Sequence, residues 1–243
     1  MQRYFSEEKI NNQLVLNEDD IYHIKTVMRM KDNDEIIVVY KKIAYLCCLE
    51  NVKENIKINI KKELEKVNYN TPIVNLIIPI LKEQKMDLIL QKATELGISS
   101  ITPIITNRSI IKLKPSDYDK KMTRWKKIVK EASEQSHRID IPDILDIKEI
   151  KDLDKIDGNK YVCSTREKSK NIKLVMKNVE ICDRINVVIG PEGGLTEKEE
   201  EMLNKQGFLS ITLGNRILRV ETVPLFILSV INYEFMEWYY GDT

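Results

Sequence analysis

Apolar and polar positions alternate with a short period over the first seventy residues. Residues 35–40, 44–49 and 56–60 are runs rich in β-branched and aromatic side chains, separated by polar turns, which is typical of strands. In the third run isoleucines alternate with Lys57 and Asn59, so one face of that strand is expected to be buried. The pattern predicts a small β-barrel or β-sandwich.

The pattern changes after a polar segment with a proline near residues 68–72, where we place a linker. Residues 73–79 form a continuous apolar run of the kind that is buried on both faces of a parallel sheet. Apolar residues then recur at helical spacing over residues 86–96, and Gly97 follows where a C-terminal cap belongs. A strand followed by a helix indicates the start of an α/β domain.

The rest of the chain continues this alternation. Further strands are predicted at residues 100–105, 160–164, 185–189 and 209–213. Helices are predicted after a capping box at Ser116, over residues 197–205 after a second capping box at Thr196, and from Pro224 to about Tyr239. The sequence therefore predicts a small β domain over residues 1–70 and an α/β domain with a mostly parallel sheet over residues 71–243.

Composition and charge narrow the class of protein. The 243-residue chain is 42% hydrophobic, which is enough for a core. Its 39 basic and 38 acidic residues exclude a uniformly basic nucleic-acid coat but permit a local basic patch. The longest apolar run, residues 223–231, falls short of the ~20 residues that span a membrane, and the first residues do not resemble a signal peptide. We expect a cytoplasmic protein without membrane attachment.

The cysteines and histidines are not spaced for a metal site. The four cysteines contain no C-x-x-C pair, and the two histidines lie far apart in the chain. This argues against both a zinc site and a disulfide framework. We expect no metal, and buried reduced thiols at Cys47, Cys48, Cys163 and Cys182.

Two loops with glycines each follow a predicted strand and precede a predicted helix. The first is Gly190-Pro191-Glu192-Gly193-Gly194, in which the missing Cβ atoms let a ligand approach the backbone at the edge where α/β proteins bind ligands. It is neither a Walker A loop nor G-x-G-x-x-G, so nucleotide hydrolysis and NAD binding are weakly supported. The second, residues 213–222, places Arg219 and Glu221 beside Gly214. Two such loops could enclose one small ligand, although a tight turn and a surface ion pair explain each loop alone.

Residues 106–138 carry ten basic side chains against four acidic ones. Such a local excess in a neutral chain indicates contact with a phosphate backbone. A solvated helix face explains the charge equally well. His137, at the end of the predicted helix, is a candidate base, but a lone histidine stabilised by the helix dipole is the simpler interpretation.

Seven segments together resemble the RsmE-type 16S ribosomal RNA uridine-N3 methyltransferases of the SPOUT class. In chain order they are Arg3-Tyr4-Phe5, His23-Ile24-x-x-Val27-Met28-Arg29-Met30-Lys31, Gln91-Lys92-Ala93-Thr94-Glu95-Leu96-Gly97, Arg124-Trp125, Glu131-Ala132-x-Glu134-Gln135-Ser136-x-Arg138, Ile189-Gly190-Pro191-Glu192-Gly193-Gly194, and Leu213-Gly214-x-Arg216-Ile217-Leu218-Arg219-x-Glu221-Thr222. This combination is far more specific than either loop alone. The sequence departs from the family pattern at Asn33, which replaces a glycine and tolerates the same left-handed conformation, and at His137 and Val223, which replace smaller residues.

The resemblance implies a fold and an assembly. The fold is a PUA-like β-barrel that binds RNA, over residues 1–70, followed by a SPOUT methyltransferase domain over residues 71–243 with a C-terminal trefoil knot. Threaded chains are rare, so the resemblance alone supports the knot. The assembly is a homodimer, with the expected contact formed by the apolar face of the last helix, Leu225, Leu228, Ile231 and Phe235.

The resemblance also implies the cofactor S-adenosylmethionine and a set of site residues. Cofactor binding is expected at Thr165, Ile189, Gly190, Glu192, Gly193, Gly194, Leu213, Gly214, Ile217, Leu218, Arg219 and Thr222. In catalysis we expect Arg219 to stabilise negative charge on the uracil oxygens while N3 loses its proton, and Glu221 to have an orienting or basic role, with Arg138 as the runner-up. RNA binding is expected at Arg3, Arg29, Lys31, Arg108, Lys112 and Arg124.

The implied activity is methylation of one uridine at N3 in the 16S ribosomal RNA of the small subunit. N3 lies on the Watson–Crick edge, so the base must be presented unpaired. Two alternatives stay open. One keeps the knot and the cofactor but methylates a ribose 2′-oxygen in another ribosomal or transfer RNA. The other is a catalytically silent RNA-binding assembly factor, which would not bind S-adenosylmethionine.

Overall fold

The computed structural model describes residues 1–64 and 71–235. Most of the predicted linker and the predicted end of the last helix at Tyr239 lie outside these residues. The chain divides into two compact units, one formed by residues 1–68 with residues 133–141 and the other by residues 69–132 with residues 142–243. The domain boundary at residue 70 stays a prediction.

The first unit is built on a six-stranded sheet. Its strands are β1 (Arg3–Ser6), β2 (Glu8–Ile10), β3 (Gln13–Val15), β4 (Glu35–Tyr40), β5 (Ile43–Glu50) and β6 (Lys57–Glu63). They follow the order β1-β4-β5-β6-β3-β2, with β1 parallel to β4 and the other pairs antiparallel. Alternate residues such as Ile36, Val38 and Leu49 fill the core. The predicted small β domain is confirmed, and it also contains β1, β2 and β3, which are too short to show a clear period.

A short helical segment interrupts the strands of this unit. Helix α1 (Glu18–Tyr22) is capped by the side chain of Asn17, which accepts a hydrogen bond from the backbone N–H of Asp20 at 2.8 Å. A π-helical turn (His23–Val27) follows. The chain leaves this turn through residues with left-handed backbone, including Asn33 at φ +72°, a conformation that asparagine tolerates.

The second unit is an α/β domain built on a seven-stranded parallel sheet. Its strands are β7 (Ile73–Pro79), β8 (Ser100–Ile105), β9 (Asp143–Ile144), β10 (Lys148–Glu149), β11 (Asn159–Cys163), β12 (Arg184–Val188) and β13 (Leu209–Ile211). The order is β10-β8-β7-β12-β11-β13, and β9 also pairs with β8. Every pair in this sheet is parallel. The predicted α/β fold class with a parallel sheet is confirmed.

Within the described residues, five α-helices lie wholly or partly in the second unit. They are α2 (Glu83–Glu95), α3 (Tyr118–Gln135), α4 (Ile172–Met176), α5 (Glu197–Lys205) and α6 (Thr222–Phe235). The capping box of Thr196 and Glu199 is confirmed at the start of α5. The cap predicted at Ser116 is wrong, because that residue lies in a 3₁₀ turn (Pro115–Asp117) before α3. Helix α6 begins before Pro224, because the backbone N–H groups of Thr222 and Val223 already donate to the carbonyl of Arg219.

Helix α6 follows the edge strand β13 and packs against α2. Asn232 donates a hydrogen bond to the carbonyl of Leu96 at 2.9 Å. Leu228 and Ile231 are each only 1% exposed within their own chain, so the predicted dimer contact is wrong for these two side chains. Among the described residues of α6, Phe226 and Tyr233 are the exposed large hydrophobic side chains.

A buried polar network crosses the centre of the parallel sheet. The Thr102 hydroxyl donates to the side-chain oxygen of Asn75 at 3.0 Å, and the Asn75 amide donates to Asn186 at 3.1 Å. Asn186 in turn donates to the backbone carbonyl of Asp157 at 2.8 Å. Thr102, Asn75 and Asn186 are all buried. The network therefore joins β8, β7 and β12 by side-chain hydrogen bonds in addition to the backbone ladder.

The thiols follow the prediction only in part. Cys47 is buried, and burial raises the pKa of its thiol to about 12. Cys48 and Cys163 are partly exposed, and Cys182 is exposed, so the expectation of burial is wrong for Cys182. In the part of the chain that the structure describes, no helix has the length and apolar character needed to cross a membrane.

Candidate active site

Three loops at the carboxyl ends of β11, β12 and β13 surround a cavity of about 580 Å³. The three strands are neighbours in the sheet, and parallel sheets bind ligands at this edge. We define the rim loop as residues 163–168, the first glycine loop as residues 189–195 and the second glycine loop as residues 212–220. The volume suits one small-molecule ligand.

The first glycine loop is a tight turn that leaves little room for a larger residue. The N–H of Gly194 donates to the carbonyl of Pro191 at 2.8 Å, and Gly194 has φ +68°. A Cβ at Gly190 would lie 3.0 Å from the backbone nitrogen of Leu195. Arg108 lies over the loop and donates to the carbonyl of Gly193 at 2.8 Å. The loop therefore presents its backbone to the cavity.

The second glycine loop contains backbone N–H groups that make no hydrogen bond within the described residues. Gly214 has φ +116°, and its N–H donates to the Thr212 hydroxyl at 3.3 Å. Within residues 1–64 and 71–235, the backbone N–H groups of Leu213, Ile217 and Leu218 donate no hydrogen bond. Backbone donors without a protein partner need water or a ligand, so this loop can recognise the edge of a planar polar group.

The structure brings the predicted cofactor-binding residues together. Eleven of the twelve line the cavity, namely Thr165, Ile189, Gly190, Glu192, Gly193, Gly194, Leu213, Gly214, Ile217, Leu218 and Arg219. Thr222 does not line it, because this residue begins α6 with its N–H bonded to the carbonyl of Arg219 at 2.9 Å. Their roles stay predictions.

The three predicted catalytic residues occupy different environments. Arg219 lines the cavity, and across the described parts of the chain its side chain makes no hydrogen bond or ion pair. Glu221 does not line the cavity, and its Oε2 atom is buried. Arg138 belongs to the first unit, where its guanidinium pairs with Asp140 at 3.0 Å. Arg219 alone of the three faces the space in which a ligand would bind.

Lys85, in the first turn of α2, is a site residue that sequence reasoning missed. It lines the cavity, and its Nζ lies 2.9 Å from Oε1 of Glu192 and 3.6 Å from Oε2 of Glu221. The hydrogen bond to Glu192 raises the pKa of Lys85. Burial raises the pKa of Glu192, but the contact with Lys85, a backbone hydrogen bond and the charge of Lys82 together make the net pKa lower than usual. Lys85 follows the carboxyl end of β7, and this position is the signal that could have found it.

The cavity carries an excess of positive charge. Its basic lining residues are Lys85, Arg108, Arg166, Lys168, Arg216 and Arg219, and its acidic ones are Glu192 and Glu200. Arg166 pairs with the buried carboxylate of Glu200, and Lys168 donates to the carbonyl of Thr165 at 2.9 Å. Such a cluster of basic side chains attracts an anionic partner. A bound sulfonium compound alone would not require so many positive charges.

The predicted RNA-binding residues are only partly free to bind RNA. Arg124 pairs with both carboxylate oxygens of Asp87, at 2.5 and 2.6 Å, and Arg3 donates to the backbone carbonyls of His137 and Arg138. Lys121 also pairs with Glu83, so the basic stretch is partly neutralised by its own chain. The exposed members of the predicted set are Arg29, Lys31, Arg108, Lys112 and Arg124. His137 is exposed and lies beyond the end of α3 with φ +58°.

Comparison with known families covers most of the chain. Residues 69–232 match the family described as RNA methyltransferase domain. Residues 16–62 match the family described as RNA methyltransferase PUA domain. The two matches follow each other in the same order as the two sheets.

Similar proteins are known from several bacteria. The chain is 35% identical to ribosomal RNA small subunit methyltransferase E of Bacillus subtilis, over 96% of this chain and 97% of that one. The enzyme of the same name from Aquifex aeolicus is 32% identical, over 95% and 99%.

Solved structures agree with the sequence comparisons. Ribosomal RNA small subunit methyltransferase E of Neisseria gonorrhoeae, bound to S-adenosyl methionine, is 31% identical with a TM-score of 0.84, over 96% of this chain and 97% of that one. A Legionella pneumophila protein solved with bound SAM has a TM-score of 0.86 at 27% identity, over 95% and 96%. From these matches, from the two sheets and from the cavity between the glycine loops, we conclude that the chain belongs to the ribosomal RNA small subunit methyltransferase E family.

Proposed function

We propose that this methyltransferase transfers a methyl group from S-adenosylmethionine to N3 of one uridine in the 16S ribosomal RNA of the small subunit. The observation that carries the proposal is the cavity at the carboxyl ends of β11, β12 and β13, where both glycine loops meet beside Arg219. Membership of the family supports the methyl transfer and the cofactor. The choice of N3 rests on the resemblance to the RsmE-type family, and Arg219 on the cavity lining is compatible with it.

The residues of the cavity fit S-adenosylmethionine. The backbone N–H groups of Leu213, Ile217 and Leu218, which have no partner in the described part of the chain, are suited to the edge of an adenine ring. Gly190 permits the tight packing of the first glycine loop that lines the cavity, because a Cβ there would lie 3.0 Å from the backbone nitrogen of Leu195. Glu192 presents a carboxylate, which suits the ribose hydroxyls or the amino group of the cofactor. When bound, the cofactor supplies a methyl group on a sulfonium centre.

Methylation at N3 requires stabilisation of negative charge. N3 of uridine carries a proton and lies between two carbonyl oxygens, and after the proton leaves for solvent the charge spreads over both. N3 then forms a bond to the methyl carbon, while the electron pair of the carbon–sulfur bond stays on sulfur. A cation fixed beside the carbonyl oxygens stabilises the charge as it develops. Arg219, which lines the cavity without an internal partner among the described residues, is suited to this role.

The excess of positive charge around the cavity fits an RNA substrate. Arg108, Arg216 and Lys168 lie on the lining of the cavity, where phosphates beside the target nucleotide would pass. Exposed Arg29 and Lys31 in the first unit supply further phosphate contacts. We also propose that the enzyme works in the cytoplasm as a homodimer, and the exposed side chains of α6, rather than Leu228 and Ile231, are the surface left for the contact.

Substitution of Gly190 by alanine is expected to weaken S-adenosylmethionine binding at least about tenfold, which corresponds to 1.4 kcal/mol. The added Cβ would lie 3.0 Å from the Leu195 backbone nitrogen and 3.3 Å from its side chain, so the first glycine loop must shift. Gly193→Ala is the matched control with a smaller expected loss, because its Cβ would meet only the Arg108 side chain at 3.4 Å. Titration calorimetry measures both, and equal affinities in the two variants would contradict the geometry.

The proposed reaction is tested with small subunits from cells that lack the gene. The subunits are incubated with purified enzyme and methyl-labelled S-adenosylmethionine, and the labelled nucleoside is identified by mass spectrometry. Label in 3-methyluridine is the expected result. Label in a 2′-O-methyl nucleoside would instead support a ribose 2′-O methyltransferase. Failure of the protein to bind the cofactor at all would support a catalytically silent RNA-binding assembly factor.

A further inference from the structure

The two carboxylates around Lys85 are not equivalent. Glu192 is on the exposed first glycine loop and accepts a hydrogen bond from Lys85 at 2.9 Å. Glu221 follows the second glycine loop, is absent from the cavity lining, and has a buried Oε2 atom that accepts no hydrogen bond from the described residues. A buried carboxylate oxygen is costly unless a charge lies nearby. The ammonium of Lys85, 3.6 Å away, supplies that charge.

One N–H of the Lys85 ammonium has no acceptor among the described residues. A lysine side chain carries three donors, and the contacts of Lys85 within residues 1–64 and 71–235 are the two carboxylates Glu192 and Glu221. Because Lys85 lines the cavity whereas Glu221 does not, a bound ligand can contact the Lys85 side chain but not Glu221. The third N–H is therefore available to an acceptor in the cavity.

We infer that Lys85 is a catalytic residue that donates a hydrogen bond to one uracil carbonyl oxygen as negative charge develops there, and that Glu221 is the positioning residue that holds the ammonium in place. This inference rests on the proposed N3 methylation. Uracil N3 is flanked by two carbonyl oxygens, and the cavity offers a cation for each, Arg219 from the second glycine loop and Lys85 from α2.

The charges around Lys85 make it a donor and exclude it as the base. The charged groups within ion-pair distance are Glu192 from the first glycine loop and Glu221, which follows the second. The hydrogen bond to Glu192, together with the charges of both carboxylates, raises the pKa of Lys85, so the group stays protonated at neutral pH. A permanently charged donor stabilises a developing anion, but it does not accept the N3 proton.

Lys85→Met is expected to lower kcat about 100-fold at neutral pH, the size of effect seen when one donor to a developing oxyanion is removed. Loss of the cation also raises the apparent pKa of bound uridine. The rate of the variant should therefore continue to rise with pH beyond the point at which the wild-type rate levels off. Affinity for S-adenosylmethionine, measured by calorimetry, should change less than about threefold, and Lys85→Arg, which keeps the charge, should recover part of kcat.

Lys92→Met is the matched control on the same helix. Lys92 is exposed, pairs with Glu95 at 2.8 Å and does not line the cavity, so its variant should keep wild-type kcat and the wild-type pH profile. Circular dichroism confirms that each variant is folded before its kinetics are compared.

The role of Glu221 is tested by a double-mutant cycle. Glu221→Gln alone should lower kcat about tenfold, and in the Lys85→Met background it should cost nothing further, because the two residues act as one unit.

Wild-type kcat and an unchanged pH profile in Lys85→Met would overturn the inference. An unchanged kcat with cofactor affinity weakened more than tenfold would overturn it equally, since Lys85 would then serve the cofactor. The proposed function fails separately, if the wild-type enzyme labels a nucleoside other than 3-methyluridine.

Discussion

Arg219→Ala is expected to lower kcat by about 100- to 1,000-fold at saturating RNA and S-adenosylmethionine. The side chain of Arg219 lines the cavity and, within the described residues, makes no hydrogen bond or ion pair that would give it a structural task. Its removal therefore takes away charge stabilisation with little cost to the fold. Cofactor affinity should change far less, because the cofactor contacts expected of the second glycine loop come from its backbone.

Arg216→Ala separates this effect from simple loss of positive charge. Arg216 lies on the same loop, lines the same cavity and is exposed, so its loss should raise KM for RNA through a weaker phosphate contact and leave most of kcat. Single-turnover methylation at saturating cofactor measures both quantities. If Arg219→Ala kept the wild-type kcat and changed only KM, Arg219 would bind RNA and would not stabilise the reacting base.

Asn186→Leu is expected to lower the free energy of unfolding of the α/β unit by about 3 kcal/mol. Asn186 is 1% exposed and lies at the centre of the buried network, between the Asn75 amide and the Asp157 carbonyl. Leucine removes these hydrogen bonds and a longer one to the Asn159 carbonyl. It leaves buried polar groups without partners, and each such group costs about 1–3 kcal/mol. Urea unfolding followed by circular dichroism measures the change.

The control for this prediction is Asn178→Leu. Asn178 is exposed after α4, so the same chemical change should alter stability by less than about 0.5 kcal/mol. Equal stabilities of the two variants would show that the network contributes no more to the fold than an exposed asparagine does.

Much of the fold follows from local patterns. Residues 73–79 form β7 and residues 100–105 form β8, and helix α5 occupies residues 197–205, because continuous apolar runs and a capping box are strong local signals. Short strands such as β2 carry no comparable period. Residues 133–141, at the end of one long basic helix, join the first unit through tertiary contacts that no local pattern reports.

Part of the candidate site could be predicted from local sequence patterns, and part could not. Both glycine loops could be predicted, because each has turn residues between a strand and a helix and their strands meet at one edge of the sheet. The role proposed for Lys85 could not be predicted from its charge, because a lysine in the first turn of a helix is ordinarily solvated. That role depends on Glu192 and Glu221, which are more than 100 residues away in the chain. The burial of Glu221 likewise depends on how the second glycine loop turns into α6.

We propose that this enzyme makes 3-methyluridine in 16S ribosomal RNA, and nucleoside analysis in cells is the decisive test. The 16S RNA is isolated from cells that lack the gene, and from the same cells carrying either the wild-type gene or Arg219→Ala, and its nucleosides are measured by mass spectrometry. We expect 3-methyluridine to be absent without the gene, restored by the wild type and not restored by Arg219→Ala. Unchanged 3-methyluridine without the gene, or loss of a 2′-O-methyl nucleoside in its place, would contradict the proposed activity.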